Sequence, residues 1–453
     1  MHLVGSEVRP LFRRQKYSVL IEEALQAGRT ISGPAKLRQS LNNKEREGQT
    51  MFEIVTSILS EGPICHDCLG RQFAKCSTNL TNKQRGRAIR TVKAMLDNAP
   101  VNSQEWEEAY DKCWVCGGLF KNLDSWVERC LEQLHNYEFA NFLVGTKLTG
   151  RLAENEEILW AESKTTTAEP LKSALNRELG KRIELLTGKQ AEFSRPDILL
   201  IVDLARDKVE IHANPLFLYG RYLKFVRGLP QTKWPCGECG GKGCVRCNLT
   251  GKMYPESVQE LIGAHVLSAS RGQDVIFHGA GREDVDARML GNGRPFVLEI
   301  KSPHRREVDL QELEQAINSS QEKIAVSHLA FVDHETVVKV KNTLLDKVYR
   351  LKVIYEHPIR EERLREALKR LEGDIEQTTP QRVVHRRADL KRHKKVYSAE
   401  LEGDEIIIRC EGGLYVKELI SGDNDRTTPN LSGLLGVNAK VEELDVLEVG
   451  GGL

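Results

Sequence analysis

The stretch Gly281-Arg282-Glu283-Asp284-Val285-Asp286-Ala287-Arg288-Met289-Leu290-Gly291-Asn292-Gly293-Arg294-Pro295-Phe296 sets an acid, Asp284, in a glycine-punctuated loop, with Arg282 before it and Arg288 and Arg294 after it. Glycine lets a backbone turn sharply and approach a ligand closely. Guanidinium forks suit phosphate oxygens. A loop with these parts can hold a phosphate chain and aim one carboxylate at a sugar or a base. Phe296 opens the apolar run 296–300, which reads as a strand, so the loop feeds directly into a sheet.

Outward from this loop, residues 254–453 alternate between strand and helix patterns. Runs at 275–278, 329–332, 396–401, 405–410 and 443–449 predict strands, and 308–317 and 359–371 have helical spacing. Upstream lies a smaller α/β segment. Strands are predicted there at 142–146, 158–160 and 198–204, a helix at 171–186, and a hairpin partner at 209–213 across Arg206-Asp207, with Arg221-Tyr222-Leu223-Lys224 following. Farther upstream, helical spacing recurs at 50–61, 82–96 and 123–134, the first run closed by Gly62-Pro63. The first 50 residues are polar and basic, with weak periodicity at 17–27, and read as an extension. The expected fold class is multidomain α+β: an extension (1–50), a helical zinc-knuckle region (51–138), an α/β segment (139–232), a zinc-binding insert (233–252) and a C-terminal domain of alternating strands and helices (253–453).

A chain of 453 residues, 40% hydrophobic, can bury the cores of two to four domains. It has no apolar run of about 18 residues, so no membrane span is expected. The N-terminus lacks an apolar core followed by a small-residue cleavage site, which favours a cytoplasmic protein. The 66 basic and 65 acidic residues nearly cancel, so any partner has to be argued from local clusters. One cluster stands out. Arg382, His385, Arg386, Arg387, Lys391, Arg392, His393, Lys394 and Lys395 are interrupted by a single acid, Asp389, and Arg305-Arg306 extend the set. A run this dense suits contact with phosphates.

Eight of the eleven cysteines form four Cys-x-x-Cys pairs. Without an export signal this pattern favours metal over disulfides. Cys65 and Cys68 pair with Cys113 and Cys116 if the chain folds back across the helix between them. Cys236, Cys239, Cys244 and Cys247 lie within twelve residues rich in glycine. Four thiolates make a closed tetrahedral Zn²⁺ site, so both groups are expected to be structural rather than catalytic. Cys76, Cys130 and Cys410 remain as buried thiols.

Two further motifs complete the picture: Lys347-Val348-Tyr349-Arg350-Leu351-Lys352-Val353, and Gly412-Gly413-Leu414-Tyr415-Val416-Lys417-Glu418-Leu419-Ile420-Ser421-Gly422-Asp423. With Gly281-Arg282-Glu283-Asp284 they resemble the Gly-Arg-x-Asp loop, the Lys-x-Tyr-Arg motif and the basic-residue motif of pseudouridine synthases. The resemblance is to the archaeal and eukaryotic family that modifies the TΨC arm of tRNA. It spans about residues 50–453 and is strongest from Trp234 onward. Residues 139–232 are loosely similar to a THUMP domain, an RNA-binding module. The resemblance implies that residues 253–453 are a catalytic domain built on a mixed sheet, with Asp284 as nucleophile and Asp286 its rival. It implies that Tyr349 stacks on the uracil and that Lys417 keeps Asp284 ionised; Arg282 and Tyr415, with Arg386, Arg387, Lys391 and Arg392 of the basic run, are the candidate tRNA-binding residues. It implies no organic cofactor, and no obligatory protein partner is evident. The target uridine would be tRNA position 55, with 54 as a second candidate. Asp425 stands where the family has glycine, and Asn430 where it has serine, which puts loop geometry there in question.

Two other classes have a basis in the residues. Asp286 with Glu299-Ile300-Lys301 fits the Asp…Glu-x-Lys pattern of nucleases that bind Mg²⁺ and activate water. A tRNA-binding scaffold without chemistry is the other, and Asp284, Tyr349 and Lys417 together argue against it. The Cys236–Cys247 spacing is also similar to a zinc repeat of DnaJ-type chaperones, but only one repeat is present and no His-Pro-Asp occurs.

Overall fold

The computed structural model describes residues 50–450. The expected extension, apart from Thr50, and its helical stretch at 17–27 lie outside the described residues. The chain divides into two compact units. One runs up to Lys121 and takes in Gly150–Leu171; the other comprises Asn122–Thr149 and Lys172 onward.

The first unit is helical, with helices Met51–Ser60, His66–Arg71, Asn82–Leu96, Ser103–Asp111 and Gly150–Ser163. Thr50 with Glu53, and Thr81 with Gln84, form capping boxes that satisfy the free N–H groups at the starts of two of them. His66–Arg71 and Asn82–Leu96 meet through glycines: a Cβ on Gly70 would lie 1.8 Å from the Asn82 carbonyl oxygen, and one on Gly86 2.0 Å from that of His66. Only glycine permits so close an approach. Arg71 is fully buried beneath them, ion-paired with Glu156 and donating to the Glu169 carbonyl at 2.9 Å. Residues 158–160, expected as a strand, are helical. Leu159 and Ser163 are buried on one side of that helix while Ile158 faces solvent, so an Ile-Leu-Trp triplet here is one turn of an amphipathic helix.

The second unit carries two sheets. The smaller has strands β1 (Asn141–Lys147), β2 (Gln190–Ala191), β3 (Ile198–Asp203) and β4 (Lys208–Ala213) in the order β2-β1-β3-β4. Strands β1 and β3 run parallel, and β3 and β4 form the expected hairpin. Helix Leu171–Thr187 lies between β1 and β3 in sequence, and its Leu171, Ala174, Leu175, Leu179 and Ile183 are buried.

The larger sheet holds β5 (Leu216–Lys224), β6 (Asp274–Gly279), β7 (Arg288–Lys301), β8 (Ile324–Val332), β9 (Lys347–Tyr355), β10 (Gly373–Thr378), β11 (Lys391–Glu402), β12 (Glu405–Cys410), β13 (Thr427–Thr428) and β14 (Ala439–Val449). Its order is β13-β10-β11-β12-β9-β14-β7-β5-β8, with β6 pairing to β7. Leu218, Tyr222, Phe296, Leu298, Ile300, Leu351, Ile406 and Ile408 are among the buried side chains of its core. Residues 216–224, placed with the α/β segment, form β5 and pair with β7 and β8. Both flanking regions mix helices with apolar strands, so hydrophobic pattern alone does not mark the boundary between them. Strand β7 begins eight residues before the apolar run that suggested it. The interval contains a kink at Gly291 and Gly293, both at positive φ, and a Cβ on Gly291 would fall 1.7 Å from the Leu447 carbonyl oxygen. Asp425, standing where glycine was expected, has φ +64°, and Asn430 caps helix Leu431–Leu435 by accepting from Gly433 N at 2.8 Å. No helix among the described residues is long and apolar enough to cross a membrane.

Candidate active site

The loop between β6 and β7 is fastened from below by Glu283. Its side chain is 1% exposed, takes Arg294 Nε at 2.9 Å and the Tyr222 hydroxyl at 2.7 Å, and lies 3.7 Å from Lys224 Nζ. Burial pushes this carboxyl up, but the charges of Arg294 and Lys224 outweigh it and hold it below the usual carboxylate range. Lys224 also donates to the carbonyls of Leu229, Asp284 and Val285, at 2.8, 3.3 and 3.3 Å. Gln231 and Arg294 reach the carbonyls of Gly281 (3.1 Å) and Ala280 (2.8 Å). A segment with no ladder of its own thus has its backbone tied to buried side chains.

With Glu283 turned inward, Asp284 turns the other way, into a cavity of about 450 Å³. That volume is within the usual range for a small-molecule site. Lys417 Nζ lies 3.4 Å from Asp284 Oδ2, and Arg382 Nη1 3.3 Å from Oδ1. Lys417 is nearer to Asp286, at 2.7 Å, so it bridges the two acids. Burial pushes the Asp286 carboxyl up, and its hydrogen bond and ion pair with Lys417 more than offset this, leaving it below its ordinary value. Strand β9 supplies Tyr349, 9% exposed, whose hydroxyl burial keeps protonated far above its normal range. Leu444 and Val446 of β14 add an apolar wall.

Of the expected substrate-binding residues, Arg282, Tyr415, Arg387 and Arg392 line this cavity. The Arg282 guanidinium lies 5.4 Å from the centre of the Trp234 ring. Arg387 donates to the Tyr415 hydroxyl at 2.8 Å, and Gln377 holds the Tyr415 backbone from both sides. The basic run enters β11, where side chains alternate between faces. Arg392 and Lys394 point to the cavity; Lys391 pairs with Glu376 at 2.7 Å on the opposite face and does not line it. The side chain of Arg386 lies outside the described residues. Sequence reasoning placed Arg382 in the basic run without linking it to Asp284. Glu418, buried next to Lys417, fixes it with a 2.6 Å hydrogen bond to Nε, and the only sequence signal for this was the acid inside the third motif.

The nuclease triad does not assemble. Glu299 accepts from His278 at 2.9 Å and pairs with Lys301, while Asp286 belongs to Lys417. In register with β5, Glu299 opposes Phe217 and Met289 opposes Lys224. Seven strand residues separate those positions, or roughly 23 Å.

A family model described as "Pus10, C-terminal" matches residues 217–450, and one described as "Pus10 THUMP domain, archaeal" matches residues 126–203. The chain belongs to the Pus10 family. A tRNA pseudouridine synthase Pus10 of Methanothrix thermoacetophila is 47% identical over 428 residues, covering 88% of this chain and 95% of that protein. Another, from Halorubrum lacusprofundi, is 42% identical over 416 residues, 88% and 96% of the two chains. A solved Cbf5-Nop10-Gar1 complex aligns over 51% of this chain and 49% of its own at 16% identity and TM-score 0.27, too distant to add to the argument. Within this Pus10-family chain the THUMP-domain match runs from residue 126 through β1, β2 and β3 of the smaller sheet, with β4 beyond it.

The eight paired cysteines gather into two groups of four, each with its sulfurs within 4.8 Å of one another. Cys65 and Cys116 lie 3.8 Å apart; Cys236–Cys244 and Cys239–Cys247 are each 3.9 Å apart. A tetrahedron of roughly 2.3 Å metal–sulfur bonds has edges of roughly 3.8 Å. Backbone N–H groups of Cys65, Gly243 and Gly251 point at Cys113, Cys239 and Cys247 sulfurs at 3.3, 3.2 and 3.2 Å, as thiolates would require. Both groups therefore could hold a metal ion. Cys130 and Cys410 are buried and Cys76 is half-buried.

Proposed function

We propose that this pseudouridine synthase acts on the TΨC arm of tRNA, at position 55 with 54 as a second candidate, and that Asp284 is its nucleophile. The observation that carries the reading is the setting of Asp284: a half-exposed carboxylate in a cavity, between Lys417 and Arg382, with Tyr349 on the same cavity wall. Lys417 and Arg382 each face one of its oxygens. The target uridine leaves its stack to reach such a pocket, and an aromatic face replaces the lost stacking. Asp284 attacks the nucleotide, the N1–C1′ bond breaks, the uracil turns, and C5 joins C1′ as Asp284 is released; C5 loses a proton and N1 gains one. Arg282, Arg387 and Arg392 take the phosphates around the flipped nucleotide. The THUMP domain and the first cysteine region grip the rest of the tRNA. Zn²⁺ in the two four-cysteine groups would supply rigidity and no chemistry. The expected location is the cytoplasm.

The deciding experiment incubates the purified protein with unmodified tRNA transcript, with and without EDTA, and maps pseudouridine by carbodiimide-blocked primer extension. Stops in the TΨC arm that survive brief chelation and vanish in Asp284→Ala support the reading. Intact RNA without stops, or stops outside that arm, overturns it.

A further inference from the structure

Lys347 is a further cation of the cavity wall. Lys347 begins β9 and points to the same side as Tyr349, two residues on, and both line the cavity. A Cβ built on Gly281 would lie 3.5 Å from Lys347 Nζ, which places the amine at the root of the loop that carries Asp284. The other cavity cations named here are engaged: Lys417 with the two aspartates, Arg382 with Glu418, Lys394 with Glu411 at 2.5 Å, and Arg294 with Glu283. Lys347 Nζ has no hydrogen-bond acceptor and no carboxylate within ion-pair distance among the described residues. A partly buried donor without an acceptor is costly unless a ligand supplies one.

We propose that Lys347 donates a hydrogen bond to a carbonyl oxygen of the flipped uracil and holds the charge that the ring acquires as the N1–C1′ bond breaks. This rests on the synthase reading. When that bond breaks, its electron pair stays with the ring and spreads onto the carbonyl oxygens. When C5 attacks C1′, the pair returns in the new bond; C5 gives up its proton to water and N1 takes one from water, so nothing is oxidised or reduced. Lys347 keeps its proton throughout. A uracil carbonyl fits better than a phosphate, because Lys347 neighbours the tyrosine on which the base would stack, whereas the exposed Arg387 suits the nucleic-acid backbone.

Geometry also provides a handle. Arg294 from β7, Glu283 from the loop, Lys394 from β11 and Cys410 from β12 face the amine, and burial with the two cations pushes it down to about 8. The free enzyme should therefore lose activity as pH rises through about 8, a limb visible in kcat/KM.

The test uses full-length protein and tRNA transcript labelled with tritium at uracil C5, so that release reports turnover. Wild type should show the alkaline limb. Lys347→Met should lower kcat about a hundredfold, as for loss of one preorganised donor, leave KM and tRNA affinity within twofold, and abolish the limb. Lys347→Arg should retain more activity and move the limb upward. A limb that persists unmoved in both variants, or a rise in KM with kcat intact, overturns the proposal. If Lys347→Met fails to fold, Lys347→Arg alone decides by whether its limb moves. No tritium release from wild type at any pH would instead sink the synthase reading, so the two failures are distinct.

Discussion

Two neighbouring residues divide the labour of one loop. Glu283 faces the core, 1% exposed, and is shared by Arg294, Lys224 and Tyr222; Asp284 faces the cavity, 37% exposed, with its cations at 3.3 and 3.4 Å. The inner acid is taken up by buried partners, and the outer one presents its oxygens to the cavity beside two cations. A loop built this way can be rigid and reactive at once, because stability and chemistry are assigned to opposite sides of the same backbone.

The comparison breaks most visibly at Asp284. Asp284→Ala should reduce turnover by at least about a thousandfold, on the scale seen when a nucleophile is removed, while thermal stability and tRNA affinity stay near wild type. Joint loss in a melting and binding assay would mean that the two sides are not separable. Glu283→Ala should do the reverse first, costing about 3–5 kcal/mol in urea unfolding by leaving buried cations unpaired. Its pH signature follows from a carboxyl held low in the folded state. Its contribution is present above the unfolded value of about 4.3 and is lost as pH falls through the lower folded value, so Glu283→Gln should flatten the acid limb of stability below about pH 4. Arg382→Gln should lower kcat roughly tenfold, equivalent to about 1.4 kcal/mol of barrier, with little change in melting temperature. The smallest effect separates the faces of β11. Arg392→Ala should reduce the slope of log affinity against log salt by about one, and Lys391→Ala by much less. Equal slopes would show that both faces meet RNA.

Where sequence and structure agree, the reason is local. Helices at 82–96 and 123–134 and the strand at 405–410 carry full amphipathic or alternating patterns and match their observed bounds. The cysteine spacing foretold two clusters because ligand geometry is written into the spacing. The loop, Tyr349 and Lys417 were found through their motifs, and they converge in one cavity. What escaped was non-local. Glu283, Tyr222, Lys224 and Arg294 lie up to 72 residues apart, and nothing near any of them announces the others. Arg382 was hidden among like charges. Residues 216–224 were grouped with the α/β segment because an apolar stretch does not say which sheet it will join.

Strand β14 separates the β7 half of the large sheet from the β9 half: Asp445 and Val446 oppose Arg288 and Met289 on one side, and Val446 opposes Tyr349 on the other. It follows both partners in the chain by many residues. A ribosome can therefore complete the carboxylate loop and the tyrosine strand long before anything joins them into one pocket. Premature stops or late frameshifts upstream of β14 should yield inert halves rather than weakened enzymes, because the carboxylate loop and the tyrosine strand meet through it.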